Sequence, residues 1–249
     1  YFGENTDDYI IVNTRVDEFD YPKGDTNVYT EYTGENGIRL GSFTRKLAFA
    51  WQLGDINVLI SGELIPESQL LYRRHIQKRV QHIAPFLKLD SDPYVVIDNG
   101  KLFWVQDAYT ISDRYPYSQP TSRGINYVRN SVKVVTSTYD GSITFYLTDP
   151  EDALAKTYAA IFPTLFTPIE TMPESLRAHL RYPLDIFQVQ VSVYQTYHMQ
   201  DPRVFYNKED LWTTPVETYA DAERPVEPYY VIMRLPDEEQ EEFVLMLPF

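Results

Sequence analysis

Asp107, Tyr109, Asp113, Arg114, Tyr115 and Tyr117 fall within the fourteen residues DAYTISDRYPYSQP, and His198 and Asp201 sit in a second aromatic-rich run, TYHMQDPRVFYNKEDLW. Both stretches combine rings with a carboxylate and a guanidinium. Those are the ingredients of a saccharide or peptide groove, in which rings supply flat apolar area and carboxylates fix hydroxyls. Asp107, Asp113 and His198 are also the side chains here best suited to acid–base work. The same composition suits a stiff cover over a core. Pro116 and Pro120 restrict the backbone, the tyrosines can bury their rings while their hydroxyls reach water, and Asp113 can pair with Arg114. The eight residues are carried forward as a ligand-binding set.

Other constellations are weaker. His75 and His82 share a helical phase but lie seven residues apart, roughly 10.5 Å along a helix axis, too far to clamp one ion. Asp90 and Asp92 in LDSDP resemble the paired carboxylates of metal-assisted sugar transfer, yet Pro93 makes a turn a sufficient explanation. Asp20, Asp25 and Asn27 offer oxygens without the loop pattern of a calcium cage. RRHIQKR, residues 73–79, concentrates four cations and reads as a solvated face docked on acidic surroundings, or as an anion patch. No metal or cofactor is expected. GxSxG, HExxH, GxGxxG and GxxxxGK[ST] are all absent, so hydrolase, zincin, dinucleotide and P-loop readings lose their simplest support.

The charge balance narrows the partners. Asp and Glu number 36 against 22 Lys and Arg, a net charge of −14 that repels phosphate backbones at long range, so nucleic acid is not an expected partner. With no cysteine there is no disulfide framework and no thiolate chemistry. No apolar run approaches the length needed to span a bilayer.

Hydrophobic periodicity predicts the elements that must position these residues. YIIVNTRV (9–16) reads as a strand, and a Pro/Gly turn at 20–27 leads to a second. Ser42 caps a helix ending at Gly54, with Phe43, Leu47, Ala50 and Trp51 on its inner face. DINVLIS reads as a short helix capped by Asp55 or as a buried strand, since seven residues do not settle the period, and helix is the preferred reading. A longer one is expected from Pro66 to Ala84, with Tyr72, Ile76, Val80 and Ile83 as its stripe. Two hairpins turn at Asn99-Gly100 and Asp140-Gly141. Asp149-Pro150-Glu151-Asp152 starts a helix with Leu154, Tyr158 and Ile161 inward, and TMPESLRAHL starts another from Thr171. Residues 183–198 read as a helix with Leu184, Phe187, Val191 and Tyr194 inward, although VQVSVYQTY also alternates like a strand. EPYYVIMRLP and EEFVLMLPF form an antiparallel pair. The expected architecture is α+β, a mainly antiparallel sheet built from hairpins and flanked by helices, as one soluble domain over 1–249 excised from a longer membrane protein.

GINYVRNSVKVV, YDGSITFYLTDPED, LRAHLRYPLDIFQVQVSVYQTYHMQDPRVFYNKEDLW and PYYVIMRLPDEEQEEFVLMLPF, with DAYTISDRYPYSQP, closely resemble uncharacterised protein family 0182, large bacterial multi-pass membrane proteins. The likeness also takes in IIVNTRVDEFDYPKGDTNVYT, LGSFTRKLAFAWQLGDINVL and ELIPESQLLYRRHIQKRVQHIAPFL, and so nearly the whole chain. It implies several N-terminal membrane-spanning helices followed by a long soluble region, of which this chain resembles the central part. It carries over no catalytic residues. The resulting expectation is an extracytoplasmic interaction or ligand-binding module, with a glycan or peptide ligand, attachment to the membrane through an upstream segment, and self-association through an open sheet edge. The alternatives are a hydrolase or transferase acting on cell-envelope polymers and a structural spacer.

Overall fold

A computed structural model describes residues 1–121, 124–219 and 222–248. The elements run β1 (Tyr9–Val12), β2 (Glu18–Lys23), β3 (Thr26–Thr30), β4 (Ile38–Arg39), α1 (Phe43–Leu53), α2 (Asn57–Ile60), β5 (Gln69–Tyr72), α3 (Ile76–Ile83), β6 (Lys88–Leu89), β7 (Tyr94–Asp98), β8 (Lys101–Ser112), β9 (Tyr127–Ser137) and β10 (Ile143–Leu147). They continue through α4 (Ala153–Ile161), β11 (Phe166–Pro168), α5 (Glu174–Arg177), α6 (Leu184–Tyr197), α7 (Pro202–Asn207), β12 (Val216–Tyr219), β13 (Ala222–Pro225), β14 (Tyr229–Met233) and β15 (Glu242–Met246). This is an α+β fold with several antiparallel hairpin sheets.

The long strands β8 and β9 organise the largest sheet, six strands in the order β11-β10-β9-β8-β6, with β7 also on β8. Neighbours pair antiparallel except β10 and β11, which run parallel. Both hairpins turn where expected. Asn99 and Gly100 take φ of 48° and 76°, the left-handed pair that a tight reverse turn needs. At the second turn Gly141 has φ of 67°, and a Cβ there would stand 2.6 Å from the buried Phe2 ring, so a side chain is excluded twice over.

The two faces of this sheet pack against different partners. One carries Val132, Val134, Ala108 and Phe145 onto Val80 and Ala84 at α3 and onto Leu87. The other carries Val105, Val135, Tyr94 and Tyr146 onto Met172 and Leu176, around α5. A separate three-stranded sheet, β1-β5-β4, meets α1 and α2 through Leu40, Ala50, Val58 and Leu70. Three two-stranded hairpins, β2-β3, β12-β13 and β14-β15, complete the described strands. No helix among the described residues is long and apolar enough to cross a membrane.

Four local expectations are corrected. The helix expected from Pro66 to Ala84 is two elements: Gln69–Tyr72 is β5, paired on both sides, and α3 starts only at Ile76. Leu70 and Leu71 are completely buried on opposite faces, which a central strand allows and a one-sided amphipathic helix does not. The helix expected at Asp149 starts three residues later, with Asp152 as its cap, and Ile161 is exposed at its end. In the TMPESLRAHL stretch, residues 169–171 form a 3₁₀ turn and α5 begins after Pro173, with no side-chain cap. Helix α1 has its expected caps, Ser42 accepting from Arg45 N–H and Gly54 left-handed, but only Ala50 of its expected inner face is buried. By contrast, α6 is the helix read from 183–198, and the strand alternative there is excluded.

Candidate functional site

The densest chemistry in the molecule is a row of polar groups along β8 and β9. These strands pair Asp107 directly opposite Lys133, so both side chains leave the same face of the sheet. That face is apolar on one side, where Val105 and Val135 come next in register, and polar on the other, toward Asp90, Tyr109 and Ser131; both charges are buried. Lys133 Nζ donates to Asp107 Oδ1 and, at 3.2 Å, to the main-chain oxygen of Arg181. Burial pushes the Asp107 carboxyl above its usual range, against the opposing pull of Lys133 and of the Asn130 side chain.

Asp90 anchors the next part of the cluster. Its Oδ2 accepts from the Tyr109 hydroxyl and, at 2.9 Å, from Asp185 N–H in the first turn of α6, while its Oδ1 accepts from Asp92 N–H at 2.9 Å. Pro183, which precedes α6, has no side chain to cap it, and Asp90 supplies the missing acceptor from another part of the chain. Burial, aided by this bond to Asp90, drives the Tyr109 phenol far above its ordinary value, so it stays a donor. Asp92 is pushed up by burial, partly offset by Arg181. The Arg181 guanidinium lies 4.3 Å over the Tyr94 ring and 5.4 Å over Tyr230, which stacks on Phe243 and joins the β14-β15 hairpin to this cluster.

A second knot centres on Asp152, the cap of α4. Its carboxylate accepts from Thr110 Oγ1 at 2.5 Å, Ser131 Oγ at 2.6 Å, the Tyr127 hydroxyl, and the N–H groups of Leu154 and Ala155. Burial alone would raise this carboxyl, but the bonds from Ser131, Thr110 and Tyr127 together hold it below its usual range. The central carboxylates of both knots, Asp90, Asp107 and Asp152, are buried. No group of three or more His, Asp or Glu side chains among the described residues is arranged to hold a metal ion.

The eight residues chosen from the sequence separate into three places. Asp107 and Tyr109 are buried in the cluster just described. Asp113 and Arg114 lie beyond the end of β8 as an exposed pair 3.7 Å apart, Tyr115 stacks on Tyr127, and Tyr117 is fully exposed. Asn126 closes this loop, accepting from Tyr115 N–H and donating to the Tyr115 and Ser118 carbonyls. His198 stacks on Trp212 with ring centroids 4.0 Å apart and lies 3.5 Å from Asp210, while Asp201 caps α7 through Arg203 N–H. Six residues of strand separate Asp107 from Asp113, roughly 20 Å, so the opening stretch does not converge on one cleft.

Lys133 was not among the sequence candidates, although SVKVV carried a signal: a single charge in an otherwise apolar strand needs a buried partner. In RRHIQKR, two of the four cations serve as clamps, while Lys78 is exposed 3.7 Å from Asp8. Arg74 donates to the Tyr1 carbonyl at 2.7 Å, and Arg79 to those of Gly141 and Tyr72. An open concavity lies elsewhere, a cleft of about 320 Å³ between α6 and the C-terminal hairpins, walled by Gln188, Val191, Gln195, Thr214, Val226 and Leu247 among others.

The family model described as Uncharacterised protein family (UPF0182) matches residues 1–249. A UPF0182 protein of Pelotomaculum thermopropionicum is 52% identical over 249 residues, covering 100% of this chain and 27% of that protein. Those of Sulfurovum sp. and Methanospirillum hungatei are 51% and 53% identical, again over the whole chain and 28% of each relative. The chain therefore spans little more than a quarter of the length of these relatives. No solved structure matches. Similarity of this depth over every residue shows that the chain belongs to the uncharacterised protein family UPF0182.

Proposed function

We propose that this chain is an extracytoplasmic part of a multi-pass membrane protein and works there as an interaction or ligand-binding module. One observation carries the binding reading: the carboxylates of Asp90, Asp107 and Asp152 are buried and already paired, whereas an open cleft beside α6 presents amides and apolar side chains together with Arg224 and Glu227. Gln188, Ser192 and Gln195 stand on one face of α6 at i, i+4 and i+7. Pro225, Val226 and Pro228 form the other wall. Amide side chains that both donate and accept, set against proline and valine, suit a short extended peptide whose backbone pairs with the amides. A glycan is the other ligand of matching chemistry. The membrane setting rests on the family resemblance read from the sequence, and the length of the relatives leaves ample room for spanning helices.

Two experiments test this. Peptide and glycan panels are screened by thermal shift, because a ligand of the native state at about one hundred times its Kd adds about 2.7 kcal/mol of stability. Gln188→Ala, at an exposed position on the cleft wall, is expected to weaken a peptide hit about tenfold. A hit unaffected by Gln188→Ala, or no hit in either panel, removes the cleft as the site. For topology, the lack of cysteine in this chain gives a silent background. Tyr117→Cys, at a fully exposed position, is introduced into the full-length protein stripped of any other cysteine. Labelling of intact cells by a membrane-impermeant maleimide is expected; labelling only after permeabilisation would place the module on the cytoplasmic side.

A further inference from the structure

The corrected face of α1 is the starting point. Its outward half presents Phe43, Thr44, Leu47, Ala48, Trp51 and Gln52, and Arg45 is exposed at the margin of that half. Phe43, Leu47 and Trp51 follow at i, i+4 and i+8, within an arc of roughly 80° at 3.6 residues per turn. Phe43 is 68% and Trp51 89% exposed. The Gly54 turn leads into α2, which adds Ile56 and Ile60, both more than half exposed. Three large apolar side chains in line on one outward helix face, continued by two isoleucines, exceed the scattered exposure normal for a soluble surface.

The surrounding charge identifies what fits this face. In an acidic protein, residues 38–60 contain Arg39, Arg45 and Lys46 against one acid, Asp55, whose carboxylate accepts from the Tyr9 hydroxyl and Asn57 N–H. None of the three cations makes an ion pair among the described residues; Arg45 donates only to the Arg39 carbonyl, at 3.2 Å. Lys46 lies about 60° from the Phe43 edge of the arc, and Arg45 about 120° from its Trp51 edge, beyond Thr44, Ala48 and Gln52. A convex helix whose outward half carries Phe, Leu and Trp, with cations beyond that half on both sides, has the chemistry of a helix that lies in a bilayer interface. A second copy of this chain docked through the same face is a poorer fit, because it would set Arg39, Arg45 and Lys46 against the same three cations. Repulsion of anionic headgroups by the acidic remainder is screened beyond about 8–10 Å at physiological salt, so the local cations decide the contact.

We propose that α1 and α2 form a lipid-docking surface, with Phe43, Leu47, Trp51, Ile56 and Ile60 entering the headgroup region of a membrane and Arg39, Arg45 and Lys46 holding anionic headgroups. This surface is distinct from the cleft beside α6, and the inference stands whether or not that cleft binds a ligand. It also orients the domain, placing the α1-α2 side against the bilayer.

The test uses the 249-residue chain with phosphatidylcholine vesicles, with and without phosphatidylglycerol. Cosedimentation is expected, stronger when phosphatidylglycerol is present, together with quenching of tryptophan fluorescence by brominated acyl chains. Trp51→Phe keeps the stripe apolar and should remove the quenched component, leaving Trp104 and Trp212 unquenched. Leu47→Glu should lower vesicle binding by at least about tenfold, and Arg45→Glu with Lys46→Glu should abolish the gain from phosphatidylglycerol. The urea midpoint of each variant shows whether it remains folded; the double charge reversal serves as the second test should Leu47→Glu not fold. Failure to bind either vesicle, or binding by folded variants at the wild-type level, overturns the proposal. So does self-association of the wild type that Leu47→Glu dissolves without any vesicle binding, which would make a second copy the occupant.

Discussion

Lys133→Met is expected to destabilise the fold by about 3–5 kcal/mol, because it leaves the buried Asp107 carboxylate without its counter-charge. The removed ammonium also leaves the Arg181 carbonyl without this donor, which loosens the link to the loop before α6. Equilibrium urea unfolding of wild type and variant checks the value. The double replacement Asp107→Leu with Lys133→Met is expected to cost far less than either single change, since two apolar side chains in register extend the rows already formed by Val105 and Val135. The sign of the pH dependence follows from the same burial. In the wild type the Asp107 carboxyl is already raised, and without Lys133 it rises further above the unfolded value of about 3.9. The native state then binds the extra proton, so the variant should lose stability as pH increases through the folded pKa. Equal destabilisation at pH 5 and pH 8, or a double variant as unstable as Lys133→Met, would show that the pair is not the buried ionic link described above.

Asp152→Ala is the second large effect, about 3 kcal/mol or more. A cap replaced by alanine costs about 0.5–2 kcal/mol, and the buried hydroxyls of Thr110 and Ser131 each lose a charged acceptor, at about 1–3 kcal/mol apiece if left unpaired. Asp152→Asn keeps an acceptor for Leu154 N–H and should recover much of the loss. Here the pH sign reverses. The folded carboxyl is held below its usual range, so its contribution is present above the unfolded value of about 3.9 and disappears as pH falls through the folded one. The gap between wild type and Asp152→Ala should therefore narrow on acidification below about pH 4. The Lys133→Met deficit also shrinks toward acid, but it does so above that point. Urea midpoints measured from pH 3 to pH 8 separate the two knots, and a gap at Asp152 that is independent of pH would contradict its role as an ionised acceptor.

Much of the local architecture was legible in the chain. Asn99-Gly100 and Asp140-Gly141 announced their hairpins because few dipeptides accept the left-handed backbone of a tight turn. Ser42 and Gly54 bounded α1 because a helix end needs an acceptor or a left-handed residue. Residues 69–72 and 76–83 were fused into one helix because their apolar spacing fits a helical period, and only pairing with β1 and β4 shows that the first piece is a strand. The candidate site was less legible. Asp107 was picked out for its aromatic neighbours, but its function in the fold is set by Lys133, twenty-six residues away in sequence and directly opposite in the sheet.

The sequence by itself determined the family, the α+β class, the two hairpin turns and the ends of α1 and α6, since each is written in side chains a few residues apart. Tertiary structure alone decided which carboxylates are buried, which strand supplies their counter-charge, and that Phe43, Leu47 and Trp51 face outward. Periodicity marks a helix face as apolar without saying what it meets, and a charge becomes buried only when distant strands close over it. Both depend on contacts between segments far apart in the chain, where local spacing carries no information.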